Sequence, residues 1–343
     1  MTNIIENEFI NSIAGKFNRS PLQINKLHES DAEIIKVSGN KNLLAITTDT
    51  IAEEIQSGLY DDPYLMGWMI ITVNLSDLAA VCAEPIGLLI SEIIPLDFNN
   101  RSLKSLNKGI NDACNYYNTF ILGGDTSQGG YLILTATALG EISGEKVLIR
   151  KKCQPGEILF ISGKTGRGNS FALSKFLNTE QIKYKPVARL KESKILKQFA
   201  TCCMDTSDGL ISTVDQISRL NNVGVEFSDD WLNLLDEDSR YVAEKLNFPL
   251  WLLLAGQHGE FELVFTVAEN LVDAFIKEAH KQDWNPYQVG KITRPTSIRI
   301  KLYNRFINLN TAKIRNLLFE VNGDVKKYIN ELLKIDSKIR HFQ

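Results

Sequence analysis

The residues best placed to do chemistry are acids flanked by small and hydroxyl side chains rather than by lysine or arginine. They are Asp31, Asp49 in Thr47-Thr48-Asp49, Asp77 in Asn74-Leu75-Ser76-Asp77-Leu78-Ala79-Ala80, Asp125 in Gly123-Gly124-Asp125-Thr126, and Asp205 and Asp208 in Asp205-Thr206-Ser207-Asp208-Gly209-Leu210. An unpaired carboxylate in a buried setting is expensive, so each such acid needs a cation or a set of donors. Hard divalent cations such as magnesium take oxygen ligands from a few carboxylates and complete their shell with water and substrate phosphates. Converging acids of this kind suit polyphosphate chemistry. Gly123 and Gly124 would let backbone N–H groups approach an anion, and Arg150, read as lying at a strand end, could neutralise a phosphate bidentately. Phosphoryl transfer asks the protein mainly to position groups and stabilise charge, so no histidine base is required. Plainer readings compete: Asp49 as a turn residue, Asp77 as a satisfied core acid, and Ser207 and Asp208 as N-caps of a helix over 210–220.

The elements that must position these acids alternate between strand and helix. Asn42 to Ile46 reads as a short buried strand that delivers Thr47, Thr48 and Asp49 to its carboxyl end, paired with Ile34 to Val37 through a turn at Ser38-Gly39-Asn40. Gly67 to Ala80 carries apolar residues at helical spacing (Trp68, Ile71, Leu75, Leu78, Ala79), which predicts a mostly buried helix around Asp77. Strands follow at Leu88 to Ile94, at Thr119 to Leu122 stopping at Gly123, and at Tyr131 to Gly140, with a helix over 100–117. A second unit starts at Pro155-Gly156 and its first strand, Ile158 to Ser162. The next glycines, Gly163, Gly166 and Gly168, lack the Walker lysine-serine ending and the dinucleotide spacing, so a plain strand-to-helix connection is the simpler reading. The basic stretch 182–194 reads as a solvated helix. Strand 224–227, helix 237–246, strands 261–266 and 289–292, and a terminal helix from Asn322 complete an α/β pattern. At the amino end, Ile5, Phe9, Ile13 and Phe17 predict an amphipathic helix over 4–18.

The chain has 343 residues, 44% of them hydrophobic and 23% charged, with a net charge of -3, which fits two globular domains and gives no basic surplus for nucleic acid. No segment reaches about 18 uninterrupted apolar residues, and the polar, acidic start does not read as a signal peptide. A cytoplasmic protein with no membrane partner is expected. The five cysteines are scattered without a Cys-x-x-Cys, which points to reduced thiols rather than to zinc or disulfides.

In order and spacing, the acidic motifs together with Arg150 and Pro155-Gly156 resemble those of thiamine-monophosphate kinase, within the aminoimidazole ribonucleotide (AIR) synthetase superfamily. The resemblance implies an α/β, AIR synthetase-like fold of two domains. The amino-terminal one (1–150) is a half-barrel that pairs in a homodimer near bound ATP, the carboxy-terminal α/β domain covers 151–321, and a helix covers 322–343. It implies ATP and magnesium as cofactors and a small phosphorylated acceptor. Asp31, Asp49, Asp77, Asp125, Asp205 and Asp208 would handle metal with Thr47 and Thr48 beside them, and Asp49, Asp77 and Asp208 form the expected catalytic set. Gly124, Arg150 and Ser207 would contact the nucleotide. The chain departs from the family on the acceptor side. Glu29-Ser30-Asp31 stands for Gly-Asp-Asp, Gln56 stands for a substrate-touching histidine, and Gln257-His258-Gly259-Glu260-Phe261-Glu262-Leu263 stands for Gly-Gly-Glu-Asp-Tyr-Glu-Leu. Gln56 and Glu260 are therefore the expected substrate contacts, and a stacking aromatic near Gly323-Asp324 is unmatched. Two other functions fit the superfamily: an AIR synthetase-related enzyme that activates an amide or acid oxygen with ATP, and a catalytically silent nucleotide-binding dimer. Selenophosphate synthetase lacks its reactive residue here, since no cysteine precedes Cys82, and hydrogenase-maturation dehydratase lacks its terminal cysteine, since the chain ends Arg340-His341-Phe342-Gln343.

Overall fold

The structure, a computed structural model, describes residues 2–144, 146–180 and 182–341. It contains two compact units, one formed by the described residues of Met1–Ser20, Arg150–Tyr184 and Phe199–Gln343, the other by Pro21–Ile149 and Lys185–Gln198. This differs from the expected division at 150/151 in two places. The first helix, α1 (Ile5–Ala14), docks on the later unit through its polar side: Asn316 Oδ1 accepts from the Ile5 N–H at 2.9 Å, and Arg315 pairs with Glu6 at 3.3 Å. Its apolar residues Phe9 and Ile13 stay exposed, as does Phe17 just beyond it. The basic stretch 182–194 is also not one solvated helix: 182–189 is not helical, and only the part from Leu190 is, with Lys191 and Lys194 exposed. Lys185 Nζ lies 3.7 Å from the centre of the Trp68 ring, and Trp68 Nε1 donates to the Pro186 carbonyl at 2.8 Å, which ties 185–198 to the earlier unit.

The earlier unit is built on a five-stranded sheet of order β1-β2-β5-β3-β4, from β1 (Glu33–Lys36), β2 (Leu43–Thr50), β3 (Glu84–Pro95), β4 (Ile121–Gly129) and β5 (Ile133–Ile142). All pairs are antiparallel except β3 with β4. A short helix α2 (Ala52–Gln56) precedes α3 (Pro63–Ala80), which packs on β2, on β5 and on α4 (Asn100–Tyr117). Asp62 caps α3 by accepting from the Tyr64 N–H, and Pro63 takes the first helical position, where its missing N–H costs nothing. The helix is apolar on nearly all sides because it is covered on nearly all sides. β4 departs from the expectation that Gly123 stops the strand. The chain runs on through Gly123-Gly124-Asp125 as an exposed edge strand, and a Cβ on Gly124 would sit 1.9 Å from the Ile90 carbonyl oxygen. Glycine is there for close strand approach, not for a turn.

The later unit holds a seven-stranded sheet of order β12-β11-β8-β10-β6-β9-β7. Its strands are β6 (Ile158–Ile161), β7 (Ala200–Asp205), β8 (Gly224–Phe227), β9 (Leu263–Val267), β10 (Tyr287–Thr293), β11 (Ile298–Leu302) and β12 (Arg305–Asn308). The helices are α5 (Arg167–Phe176), α6 (Leu190–Phe199, which carries 190–198 into the other unit), α7 (Leu210–Asn221), α8 (Glu237–Lys245), α9 (Leu252–Ala255), α10 (Val272–Lys281), α11 (Thr311–Glu320) and α12 (Val325–His341). β9 is buried at all five positions, since one face meets the core that holds Leu210, Ile211 and Val214 of α7 and on the other Phe265 packs against Phe160, Phe275 and Trp284. Both β6 and β7 pair antiparallel to β9, so they run in one direction. Their carboxyl ends meet the start of β9 at one end of the sheet, with Ile161 opposite Val264 and Asp205 opposite Leu263.

Candidate functional site

In the earlier unit the alternation of β2 decides which groups meet. Leu43, Ala45, Thr47 and Asp49 share the face turned to α3, while Thr48 points the other way. Thr47 Oγ1 donates to Asp77 Oδ2 at 2.5 Å, and Asp31 and Asp77 bring carboxylate oxygens within 4.8 Å of each other. The strand and the helix thus converge, but β2 runs on to Thr50, so Thr47, Thr48 and Asp49 lie within the strand rather than at the end of one closing at Ile46, and Asp77 is the one half-buried residue in an otherwise buried stretch from Met66 to Ala80. Thr48 does not join them: its hydroxyl donates to the Ala136 carbonyl at 3.0 Å and accepts from Thr137. Asp125 sits in mid-strand on β4, exposed, rather than at a strand end. Gln56 ends α2 with its side chain exposed.

In the later unit three loops gather at the shared sheet end. Asp205 closes β7 and is 2% exposed, while Ser207 is half-buried and Asp208 is exposed in the turn that follows. Neither Ser207 nor Asp208 caps α7. The N-cap is Gly209, in the left-handed region at φ 78, with no side-chain cap bond, so the capping explanation for these two residues is excluded. Glycine is required there because a Cβ would lie 2.4 Å from the Gly256 carbonyl oxygen. Thr206 Oγ1 accepts from the Glu262 N–H at 2.9 Å, and the Ser207 carbonyl accepts from the Gly259 N–H at 2.9 Å, which straps the Asp205–Gly209 loop to the segment leading into β9. Arg150 is half-buried eight residues beyond the end of β5, not at a strand end, and its carbonyl accepts from Asn221 Nδ2 at 2.9 Å.

The AIR synthase related protein, N-terminal domain, family model matches residues 29–142. Over 279 residues the chain is 30% identical to the thiamine-monophosphate kinase of Pyrococcus horikoshii, covering 79% of this chain and 85% of that protein. The chain belongs to the thiamine-monophosphate kinase family. The thiamine-monophosphate kinase of Escherichia coli (strain K12) is also 30% identical, covering 67% of this chain and 72% of that protein. Among solved structures, AaThiL complexed with AMPPCP and TMP superposes with a TM-score of 0.71 at 20% identity, over 87% of this chain and 94% of that one. E. coli HypE, a hydrogenase maturation protein, gives 0.69 at 18% identity, over 89% and 98%. These two likenesses establish the AIR synthetase-like fold.

The acceptor-side departures from the thiamine-monophosphate kinase pattern have a structural explanation in the 256–262 segment. A Cβ on Gly259 would fall 1.5 Å from the Thr206 carbonyl oxygen, so no side chain fits where the family glutamate was aligned. Glu260 does not reach outward to a substrate either. It is 5% exposed and accepts from Thr165 Oγ1 and from the Gly168 N–H, both at 2.7 Å. Glu262 is equally buried and accepts from Ser162 Oγ. Sequence reasoning turned Glu260 toward the substrate and gave Glu262 no role because the partners that hold them lie about a hundred residues away; the local signal was two acids flanking Phe261 next to a β-forming run. Tyr328, the nearest aromatic after Gly323-Asp324, is buried and cannot stack on a ligand.

Burial raises the Glu260 carboxyl from 4.5 to about 7, against the pull of its hydrogen bonds, and burial lowers the neighbouring His258 from 6.5 to about 4. A raised carboxyl contributes stability that is complete below about pH 4.5 and is lost as pH rises through 7; a depressed histidine contributes stability that is complete above about pH 6.5 and is lost as pH falls through 4. The two effects nearly cancel. Glu260→Gln removes one of them, and the variant's unfolding free energy should then drop by about 3 kcal/mol between pH 6.5 and 4, against a much flatter wild-type profile. Denaturant unfolding at stepped pH reads this directly, and parallel profiles for the two proteins would refute it.

Proposed function

We propose that the protein is an ATP- and magnesium-dependent phosphotransferase that acts on a small phosphorylated acceptor, as its family's name describes. The observation that carries the reading is the convergence of Thr47, Asp31 and Asp77 between the middle of β2 and the last turns of α3. A donor set made only of carboxylate and hydroxyl oxygen suits a hard cation and not a soft one. Magnesium held there would neutralise charge on nucleotide phosphates. Asp49 extends the same strand face toward it, while Asp205, Ser207 and Asp208 form a second acidic turn suited to metal and nucleotide contacts. The family relationship supports the kinase activity, and the AMPPCP and TMP held by AaThiL support nucleotide binding. The test is ATP turnover with and without magnesium against a panel of phosphorylated metabolites, thiamine monophosphate included. Turnover that is indifferent to magnesium would overturn the reading.

The acceptor is where this chain should differ from its relatives. Gln56 is a neutral amide, Gly259 has no side chain, Glu260 is committed inside the fold, and Tyr328 is buried. A polar site that loses such partners forfeits discrimination of several orders of magnitude. Calorimetry with a non-hydrolysable ATP analogue should therefore find thiamine monophosphate binding weaker than about 100 μM, a free energy less favourable than about -5.5 kcal/mol. Micromolar binding would show that other groups have replaced those partners.

We also propose a homodimer formed through the exposed edge of the five-stranded sheet. Among the described residues no strand pairs with the outer edge of β4, and Phe120 just before it and Ile121 and Leu122 at its start are 65%, 42% and 51% exposed. An exposed apolar edge of this length is an association site. Light scattering at micromolar concentration should report twice the chain mass, and Ile121→Lys should halve it. A wild-type monomer would refute the assembly.

A further inference from the structure

The glycine-rich connection after β6 has the form of an anion-binding loop, and the anion it holds belongs to the protein. Gly166 takes φ 96, a left-handed conformation that turns successive N–H groups inward at the start of α5. The Gly168 N–H and the hydroxyl of Thr165 both donate to the Glu260 carboxylate at 2.7 Å. The unsatisfied N–H groups and the positive end of a helix dipole attract negative charge, which is how helix starts hold phosphate in other proteins. Here the loop's own cations face elsewhere. Arg167 pairs with Asp236 and Asp238 at 2.8 Å, and Lys164 lies 3.8 Å from Glu237. Gly168 has no room for a Cβ, which would meet the Gly259 carbonyl oxygen at 2.3 Å, so the loop and the Glu260 segment are pressed backbone to backbone. The charged groups nearest Glu260 on its own segment are Glu262, held by Ser162, and His258, buried and neutral.

We propose that Glu260 is a positioning residue, a resident anion that fixes the Thr165–Gly168 loop in shape and keeps phosphate out of it. The acceptor's phosphate is then bound by other groups, and the loop serves as a rigid floor to the Asp205–Gly209 turn.

The test is thermal, so it does not depend on the phosphotransferase reading and can fail separately from it. Near pH 8, Glu260→Ala leaves two buried donors without an acceptor and should lower Tm by roughly 4–10 °C. Acetate or inorganic phosphate at about 50 mM should enter the vacated nest and raise the variant's Tm by roughly 2–4 °C while leaving the wild type almost unmoved. Equal response of the two proteins to either anion, or an unchanged Tm in the variant, overturns the proposal. Should the alanine variant not fold, Glu260→Gln carries the test. Its amide fills the nest, so neither anion should raise its Tm by more than it raises the wild type's, and an anion-dependent rise of several degrees would overturn the proposal. In turnover assays the same variant should lose kcat with little change in the acceptor KM, whereas a substrate ligand would lose KM.

Discussion

Asp77→Asn should cut magnesium-dependent ATP turnover at least about a hundred-fold, because an amide has nearly the shape of a carboxylate but ligates a hard cation poorly, and even outer partners of metal ligands are worth ten- to a hundred-fold. The fold should survive. The substituted amide would keep an oxygen to accept the Thr47 hydroxyl, whose bond to Asp77 is internal to the strand and helix ends, and the surrounding α3 packing involves other residues. The measurement is a pair: steady-state turnover across a magnesium titration, and thermal melting without metal. A right shift of the titration with a recoverable maximum would mean weakened metal binding, and a flat loss would mean a misplaced metal. Turnover equal to wild type would remove Asp77 from the metal site, and a collapse of Tm would make it a structural acid instead.

The second large effect is expected at Gly259. Its missing Cβ would lie 1.5 Å from the Thr206 carbonyl oxygen and 2.9 Å from the Gly209 nitrogen, backbone atoms that no side-chain rotation can clear. Gly259→Ala should therefore cost on the order of 4 kcal/mol or more, at the upper end of what single substitutions do, or push the Asp205–Gly209 turn out of place. Gly259→Glu, which restores the family letter at this position, should fare no better and should gain no acceptor affinity. Gly130→Ala is the control, since nothing lies within 4 Å of its added carbon, and it should be silent within about 0.5 kcal/mol. Equilibrium denaturation of the three variants separates these outcomes, and wild-type stability in Gly259→Ala would mean that the 256–262 segment has a different path.

The sequence was most informative where a site is built from local periodicity. The helix around Asp77 is legible because its apolar spacing sets the buried face, and β2 is legible from its apolar start, although the polar run Thr47–Asp49 does not end it: the strand continues to Thr50, and its period of two separates Thr48 from its neighbours. Where glycine was involved, local rules misled. Gly123-Gly124 reads as a strand end because glycine weakens strands, yet here it admits the Ile90 carbonyl and the strand continues. Likewise Ser207 and Asp208 have the composition of caps, but the turn is shaped by Gly209 against Gly256. Glu260 could not have been placed from its neighbours at all, since what decides its direction is a pair of donors at 165 and 168. Nor could periodicity tell which side of α1 docks: the apolar spacing is real, and the contacts to Asn316 and Arg315 use the other side.

That docking has a consequence for how the chain is made. The Ile5 N–H finds its acceptor on Asn316, 311 residues later. At about 5–20 residues per second, a ribosome takes roughly 15–60 s to deliver that partner. Throughout that interval the segment 5–14 lacks the surface on which it docks, while Pro21–Ile149 already contains every strand of its own sheet. Phe9, Ile13 and Phe17 are exposed after docking as well as before it, so the delay withholds polar contacts rather than apolar cover, and the sheet of the earlier unit is complete long before the amino-terminal helix is anchored.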